Sequence, residues 1–511
     1  MATPLPESHD DQVGGQAPRD GRPPWEGDGV SERLRPRDLA VLALESPTAP
    51  LHHASVEIFD PEDSGFGHDR LVDLIEERIS FVPRYRARLQ PVPGRLANPT
   101  WVEDPDFDLA FHVRRSALPR PGTMEQLCEL VARIVSRPLD RDRPLWEAYV
   151  IEGLADGRVA VLRKSHLALV DGVHTVDLGQ VLLDTSPDVA PLEPVDAHRV
   201  RRPSALDLVG EAVADSLHDP RLVWDTVRAN TASVLRTAGG AVDRATRVAG
   251  ALTNRLPAPE SPLAGDLSRQ RRVVTVRTDL DDHRRVRDAC GGSVNDVILA
   301  TVTGAVRGWL MSRPESLGGL RRIRAVAPVS VIDEELEATS LGSQITPHWV
   351  DLPVGEPNPV VRLAQVSYSF QAHRETGRGV AADRLARLAG FAPATFHALG
   401  ARVAVEELRR GFQVAVTNVP GPQAPLYAAG ARMLETYSVH PLLPGHALAI
   451  GVTSYDGGIF YGITADRDRL PDADLLGPCV TDALDELVDA AAAVRRRTPR
   501  RARTTGRGHR P

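Results

Sequence analysis

Apolar and polar positions alternate over some stretches of the chain and recur every three to four residues over others, so strands and helices are mixed throughout. Ala54–Phe59 alternates and predicts a strand. His68–Ile79 sets Leu71, Leu74 and Ile75 at helical spacing, and Met124–Ser136 does the same with Leu127, Leu130, Val131 and Ile134. Trp146–Ile151 and Arg158–Ser165 predict two strands joined by a turn at Ala155-Asp156-Gly157. Val173–Leu183 reads as helix. Thr185–Pro203 is then rich in Pro and Asp, and Ser204–Leu256 predicts an aromatic-poor helical connection, broken at Gly239-Gly240 and closed by a loop at Pro257–Gly265. The mixed pattern resumes with strands at Arg272–Thr278, Ile323–Val331, Gln413–Thr417, Ala447–Ser454 and Ile459–Ala465, and a helix at Val294–Met311. No internal period of 20–50 residues marks a repeat array.

This pattern divides the 511 residues into two α/β halves, 31–185 and 271–490, around a helical connector, 186–270. Residues 1–30 are rich in Pro, Gly and Asp without an apolar stretch, which predicts a disordered extension rather than a secretory leader. Residues 491–511 predict an Arg-rich disordered tail, either simply solvated or in contact with anionic lipid or nucleic acid. No run of 18 apolar residues occurs, so a cytoplasmic chain is expected, soluble or peripheral to the inner face of the plasma membrane.

Composition narrows the function classes. Cys128, Cys290 and Cys479 are far apart and form no CxxC pair, which argues against a zinc knuckle or a disulfide framework, and no metal site is expected. A net charge of −7, from 61 basic and 68 acidic residues, argues against a general nucleic-acid binder. Lys164 is the only lysine. It is retained either by chance or because it packs where a guanidinium cannot.

The candidate chemistry lies in Arg141–Gly179, where a strand over Val159–Lys164 runs into His166-Leu167-Ala168-Leu169-Val170-Asp171-Gly172. Histidine titrates near neutral pH and suits general-base work; an Asp can fix local geometry, and Gly permits a tight turn. Taken alone, a histidine at a strand end is more often structural than catalytic.

Six ordered motifs carry a resemblance. Pro144-Leu145-Trp146 precedes Lys164-Ser165-His166-Leu167, with Asp171-Gly172 following. Glu45-Ser46-Pro47-Thr48 leads to Pro50-Leu51-His52; Ser293-Val294-Asn295-Asp296 opens a helix; then come Thr417-Asn418-Val419-Pro420-Gly421-Pro422, Ser454-Tyr455-Asp456-Gly457 and Thr464-Ala465-Asp466. Over residues 30–490 the chain resembles the bacterial wax ester synthase/diacylglycerol acyltransferase family, whose motif is HHxxxDG. The resemblance implies an α/β, two-domain CoA-dependent acyltransferase fold, like chloramphenicol acetyltransferase and peptide-synthetase condensation domains, with a channel between the halves. It implies acyl-CoA as co-substrate, diacylglycerol or a long-chain alcohol as acceptor, triacylglycerol or wax ester as product, a membrane-peripheral or lipid-droplet setting, no further cofactor and no nucleic-acid partner. His166 and Asp171 would be the motif's catalytic pair, with Leu167, Gly172, Asn295 and Asp296 at the motif or channel.

One position departs from the family. The second motif histidine, which takes the hydroxyl proton, is Leu167 here, and leucine accepts no proton. Successive side chains on a strand face opposite ways, so if position 167 faces the channel, His166 faces away from it. Several roles stay open. His174 is either a surface histidine or a substitute base. His52 and His53 belong to the entry of a strand, and His52 reads as structural. Asn295-Asp296 either cap a helix or contact a developing oxyanion, and Asn418–Pro422 reads as architecture more than as a substrate contact. The alternatives to an acyltransferase are a catalytically impaired acyl- or lipid-binding relative or regulator, and an enzyme that acylates a specialised-metabolite hydroxyl or amine.

Overall fold

A computed structural model describes residues 33–62, 64–93, 97–170, 178–188, 261–313, 319–330, 345–374 and 401–497, the last without 403, 406, 407, 409 and 410. Residues 189–260 of the predicted connector, Asp171, Gly172, His174 and most of the two termini lie outside the described residues.

The N-terminal half runs α1 (Pro36–Leu44), β1 (His52–Asp60), α2 (His68–Arg78), β2 (Ala87–Gln90), β3 (Thr100–Glu103), α3 (Leu109–His112), β4 (Val113–Ala117), α4 (Met124–Val135), β5 (Trp146–Glu152), β6 (Val159–His166) and α5 (Leu178–Leu182). The C-terminal half runs β7 (Arg271–Asp279), α6 (Leu280–Cys290), α7 (Val294–Met311), β8 (Ile323–Ser330), β9 (Ile345–Leu352), α8 (Pro359–Arg374), β10 (Val414–Pro420), β11 (Tyr427–Ala428), β12 (Ala431–Val439), β13 (Leu448–Tyr455), β14 (Gly458–Asp466) and α9 (Leu476–Arg497). Helix α9 carries the first arginines of the expected tail as helix, to Arg497.

Two six-stranded sheets organise the molecule, in the orders β11-β12-β1-β6-β5-β4 and β7-β14-β13-β10-β8-β9. The first borrows two strands from the C-terminal half: β12 pairs antiparallel with β1, setting Ala54 opposite Val439. Two glycines allow this crossing. A Cβ on Gly462 would lie 1.9 Å from the Ser438 carbonyl oxygen of β12, and one on Gly451 would lie 2.7 Å from the His440 ring.

Each sheet has its own core. Helix α4 starts with a capping box, in which Thr123 Oγ1 accepts the Gln126 N–H and Gln126 Oε1 accepts the Thr123 N–H. Its Leu127, Val131, Ile134 and Val135 join Ala54, Val56 and Ile58 of β1 in the first core. In the second, Ile298, Val302 and Trp309 of α7 pack with Val414 and Val416 of β10 and Val452 of β13. Arg271 ties the halves together. Its buried guanidinium meets Asp466 at 3.3 Å and donates to the Thr48 carbonyl, while its N–H donates to Ser136 Oγ at 3.2 Å.

Candidate active site

Strand register decides which motif side chains can meet. His52 stands opposite His166 on neighbouring antiparallel strands, and the Leu167 N–H donates to the Leu51 carbonyl at 3.0 Å. Residues 52, 164 and 166 therefore share one face of the sheet, and 51, 53, 165 and 167 share the other.

The first face looks onto the end of α4. His52 Nε2 donates to the Val135 carbonyl at 2.8 Å. Burial, with the Lys164 charge beside it, pushes the His52 pKa well below its ordinary range. Lys164 donates to the carbonyls of Ile134 at 3.3 Å and Arg137 at 2.6 Å, so the chain's only ammonium satisfies a helix C-terminus. Burial lowers its pKa to about 8, against the pull of Glu147 at 3.6 Å.

His166 lies on this face and is 1% exposed. Its Nδ1 accepts the Ala168 N–H at 3.0 Å, which leaves the ring proton on Nε2. Nε2 lies 3.5 Å from Glu45 Oε2. Glu45 in turn accepts the Leu51 N–H at 3.2 Å and the Arg141 guanidinium. Burial raises its pKa, but His166 and Arg141 outweigh that and hold it at about 2. Both His166 nitrogens are thus aimed into the N-terminal half.

Leu167 points the other way and is 0% exposed. It packs in an apolar cluster drawn from both halves, with Val41, Leu51, Val326, Ala404, Phe412 and Leu443. Arg402 closes the turn that follows, donating to the Val170 carbonyl at 2.7 Å and pairing with Asp38. Trp349, packed against the cluster, also lines a groove of about 810 Å³ with Arg322, Arg324, Asp351, Val361 and Tyr368.

Asp296 is buried and caps α7: its Oδ2 accepts the Ser293 N–H at 2.8 Å, and its own N–H donates to Ser293 Oγ. Asn295 does other work. Its Oδ1 accepts from Asn418 Nδ2 at 2.8 Å, joining the helix start to the end of β10. Of the expected site residues, His166 and Leu167 are consecutive on β6 and the turn after it, whereas Asn295 and Asp296 lie in the first turn of α7 in the C-terminal half.

One cluster brings together residues that the sequence alone leaves apart. His53, on the Leu167 face of β1, packs against His440, which follows β12, at 5.2 Å between ring centroids. His440 Nε2 lies 2.5 Å from Thr417 Oγ1 and 3.1 Å from Ser438 Oγ. Burial, and then the neighbouring His53, push the His440 pKa well below its usual range. The signal available beforehand was the adjacent pair His52-His53, which strand alternation sends to opposite faces; His440 lies 387 residues further along the chain.

Comparison with known proteins matches the wax ester synthase/diacylglycerol acyltransferase catalytic domain over residues 34–298 and the WS/DGAT C-terminal domain over residues 341–488. The chain is 33% identical to the probable diacylglycerol O-acyltransferase tgs1 of Mycobacterium tuberculosis over 427 residues, covering 84% of this chain and 89% of the relative. It is 30% identical to tgs2 of the same species over 467 residues, covering 89% and 99%. Among solved structures, the wax ester synthase/diacylglycerol acyltransferase from Marinobacter aquaeolei VT8 matches with a TM-score of 0.61 at 25% identity, covering 90% of this chain and 100% of that one. The first condensation domain of the calcium-dependent antibiotic synthetase shares the fold, with a TM-score of 0.51 at 16% identity and coverage of 91% and 96%.

Proposed function

Because the chain belongs to the wax ester synthase/diacylglycerol acyltransferase family, we propose that it transfers an acyl group from acyl-CoA to the hydroxyl of diacylglycerol or a long-chain alcohol, forming triacylglycerol or wax ester. The observation that carries this reading is the place of position 167. It lies on the sheet face where side chains of both halves converge, at the end of the motif strand. In the reaction the acceptor oxygen attacks the thioester carbonyl, the C–S bond breaks, and the departing CoA thiolate takes up the proton that left the hydroxyl. Acyl-CoA is a co-substrate, and the steps call for no metal or prosthetic group.

His166 serves here as a positioning residue. With Nδ1 accepting from Ala168 and Nε2 facing Glu45, it fixes the turn that carries Leu167. Asp171 and Gly172 complete the motif in sequence, and Asn295 and Asp296 hold the opposite half's contribution in place. Among the described residues no single helix is long and apolar enough to cross a membrane. The lipid substrates and the Arg-rich C-terminal stretch favour a peripheral contact with an anionic lipid surface.

The test is turnover of palmitoyl-CoA with diacylglycerol and, separately, with hexadecanol, following thiol release and the ester product. Ester formation with either acceptor is expected. A second reading, an acyl-binding relative, is favoured by the apolar cluster in which Leu167 packs. It replaces the first if the protein binds palmitoyl-CoA saturably yet forms no ester.

A further inference from the structure

An acyltransferase of this design needs a proton acceptor beside the acceptor hydroxyl, and position 167 provides none. The same sheet face offers another imidazole. Leu51 and Leu167, just before β1 and just after β6, are joined by the hydrogen bond from the Leu167 N–H to the Leu51 carbonyl, and His53 lies two residues on from Leu51 on that face, opposite Ser165. Diagonal neighbours of this kind stand roughly 7–8 Å apart, within reach of one long side chain. The strand order β12-β1-β6 puts His53 between His440 and position 167. Both rings are buried where the borrowed strand β12 meets β1, with Thr417 of β10 contributed by the C-terminal sheet.

We propose that His53 is the catalytic base of this chain and that His440, anchored by Thr417 and Ser438, is the positioning residue that holds it. This rests on the acyltransferase reading above. His53 takes the proton of the acceptor hydroxyl as its oxygen attacks the thioester carbonyl. The proton then passes to the departing CoA sulfur, so the histidine returns to its neutral form. His440 suits the supporting role. Its Nε2 is engaged by two hydroxyls, and its ring rests on the surface that Gly451 leaves bare. Burial keeps His440 neutral at pH 7, so it places no second positive charge against His53 when that ring takes a proton.

Rescue separates a base from a structural histidine. Wild type, His53→Gln, His440→Gln, Leu167→His and the doubles Leu167→His/His53→Gln and Leu167→His/His440→Gln are compared for acyl transfer from palmitoyl-CoA, with folding checked by thermal melting. His53→Gln is expected to lose about 10²–10⁴-fold in turnover, the usual contribution of a positioned base. His440→Gln should lose about tenfold, and Leu167→His should restore both, because an imidazole at position 167 makes the pair dispensable. Should His53→Gln fail to fold, His53→Asn and the His440→Gln pair are read the same way. A folded His53→Gln enzyme within threefold of wild type overturns the proposal and leaves the acyltransferase reading standing. So does a loss that Leu167→His does not restore, or an inert wild type that Leu167→His awakens. If neither wild type nor Leu167→His forms ester with either acceptor, both readings fall.

Discussion

Replacing Glu45 by Gln isolates a buried carboxylate that joins three parts of the N-terminal half. Glu45 follows α1, accepts the Leu51 N–H at the entry of β1, pairs with Arg141, and faces His166 at the end of β6. Its side chain is 6% exposed, so solvent screens it little. A carboxyl held at about 2 instead of its ordinary 4.5 corresponds to about 3 kcal/mol of stabilisation at neutral pH. The sign follows from the direction of the shift. The folded state binds the proton less readily than the unfolded chain, so the contribution is complete above pH 4.5 and shrinks as pH falls toward 2. Urea denaturation of wild type and Glu45→Gln at pH 7 and pH 3 reads the effect. The variant should be about 2–3 kcal/mol less stable at pH 7, since Gln keeps an acceptor for Leu51 but loses the charge, and the gap should narrow by at least half at pH 3. A variant as stable as wild type at pH 7, or a gap that does not change with pH, would refute the electrostatic reasoning.

Two further outcomes are expected. Lys164 should resist acetic anhydride at pH 9 in the folded protein, although its pKa of about 8 leaves it largely deprotonated there, and should react once the chain unfolds; modification of the folded protein at the rate of an exposed amine, read by mass spectrometry, would show that the ammonium is not sealed under α4. Flotation with anionic vesicles should show binding that weakens with added salt and drops when the chain is truncated after Arg497; undiminished binding of the truncated chain would remove the C-terminal arginines as its cause.

Much of the architecture is legible locally. The alternation at Ala54–Phe59, the helical spacing at Met124–Ser136 and the helix at Val294–Met311 reappear as β1, α4 and α7, because each buries an apolar face set by nearby residues. Helix α9 was equally legible in principle: Leu476, Val480, Leu484 and Leu487 keep helical spacing and are buried. The borrowed strand β12 was not. Its partner in β1 lies most of the chain away, and only the bare glycines at 451 and 462 hint that another backbone or ring crosses β13 and β14.

The site shows the same limit in sharper form. Sequence placed His166 and Leu167 on opposite faces, and the register of β1 with β6 agrees. The polar positions on the Leu167 face of β1 look in sequence like the solvent side of a half-buried strand. Yet His53, Ser55 and Glu57 are all buried. Glu57 is met there by Arg163 at 2.5 Å, and His53 by His440. A polar side chain on a covered face must find a partner or serve a reaction, since burying it unpaired is costly. The alternation rule therefore identifies the face, whereas only the tertiary pairing shows that the face is interior. That difference turns His53 from an ordinary strand-entry residue into a buried imidazole on the same sheet face as the position where the motif has lost one.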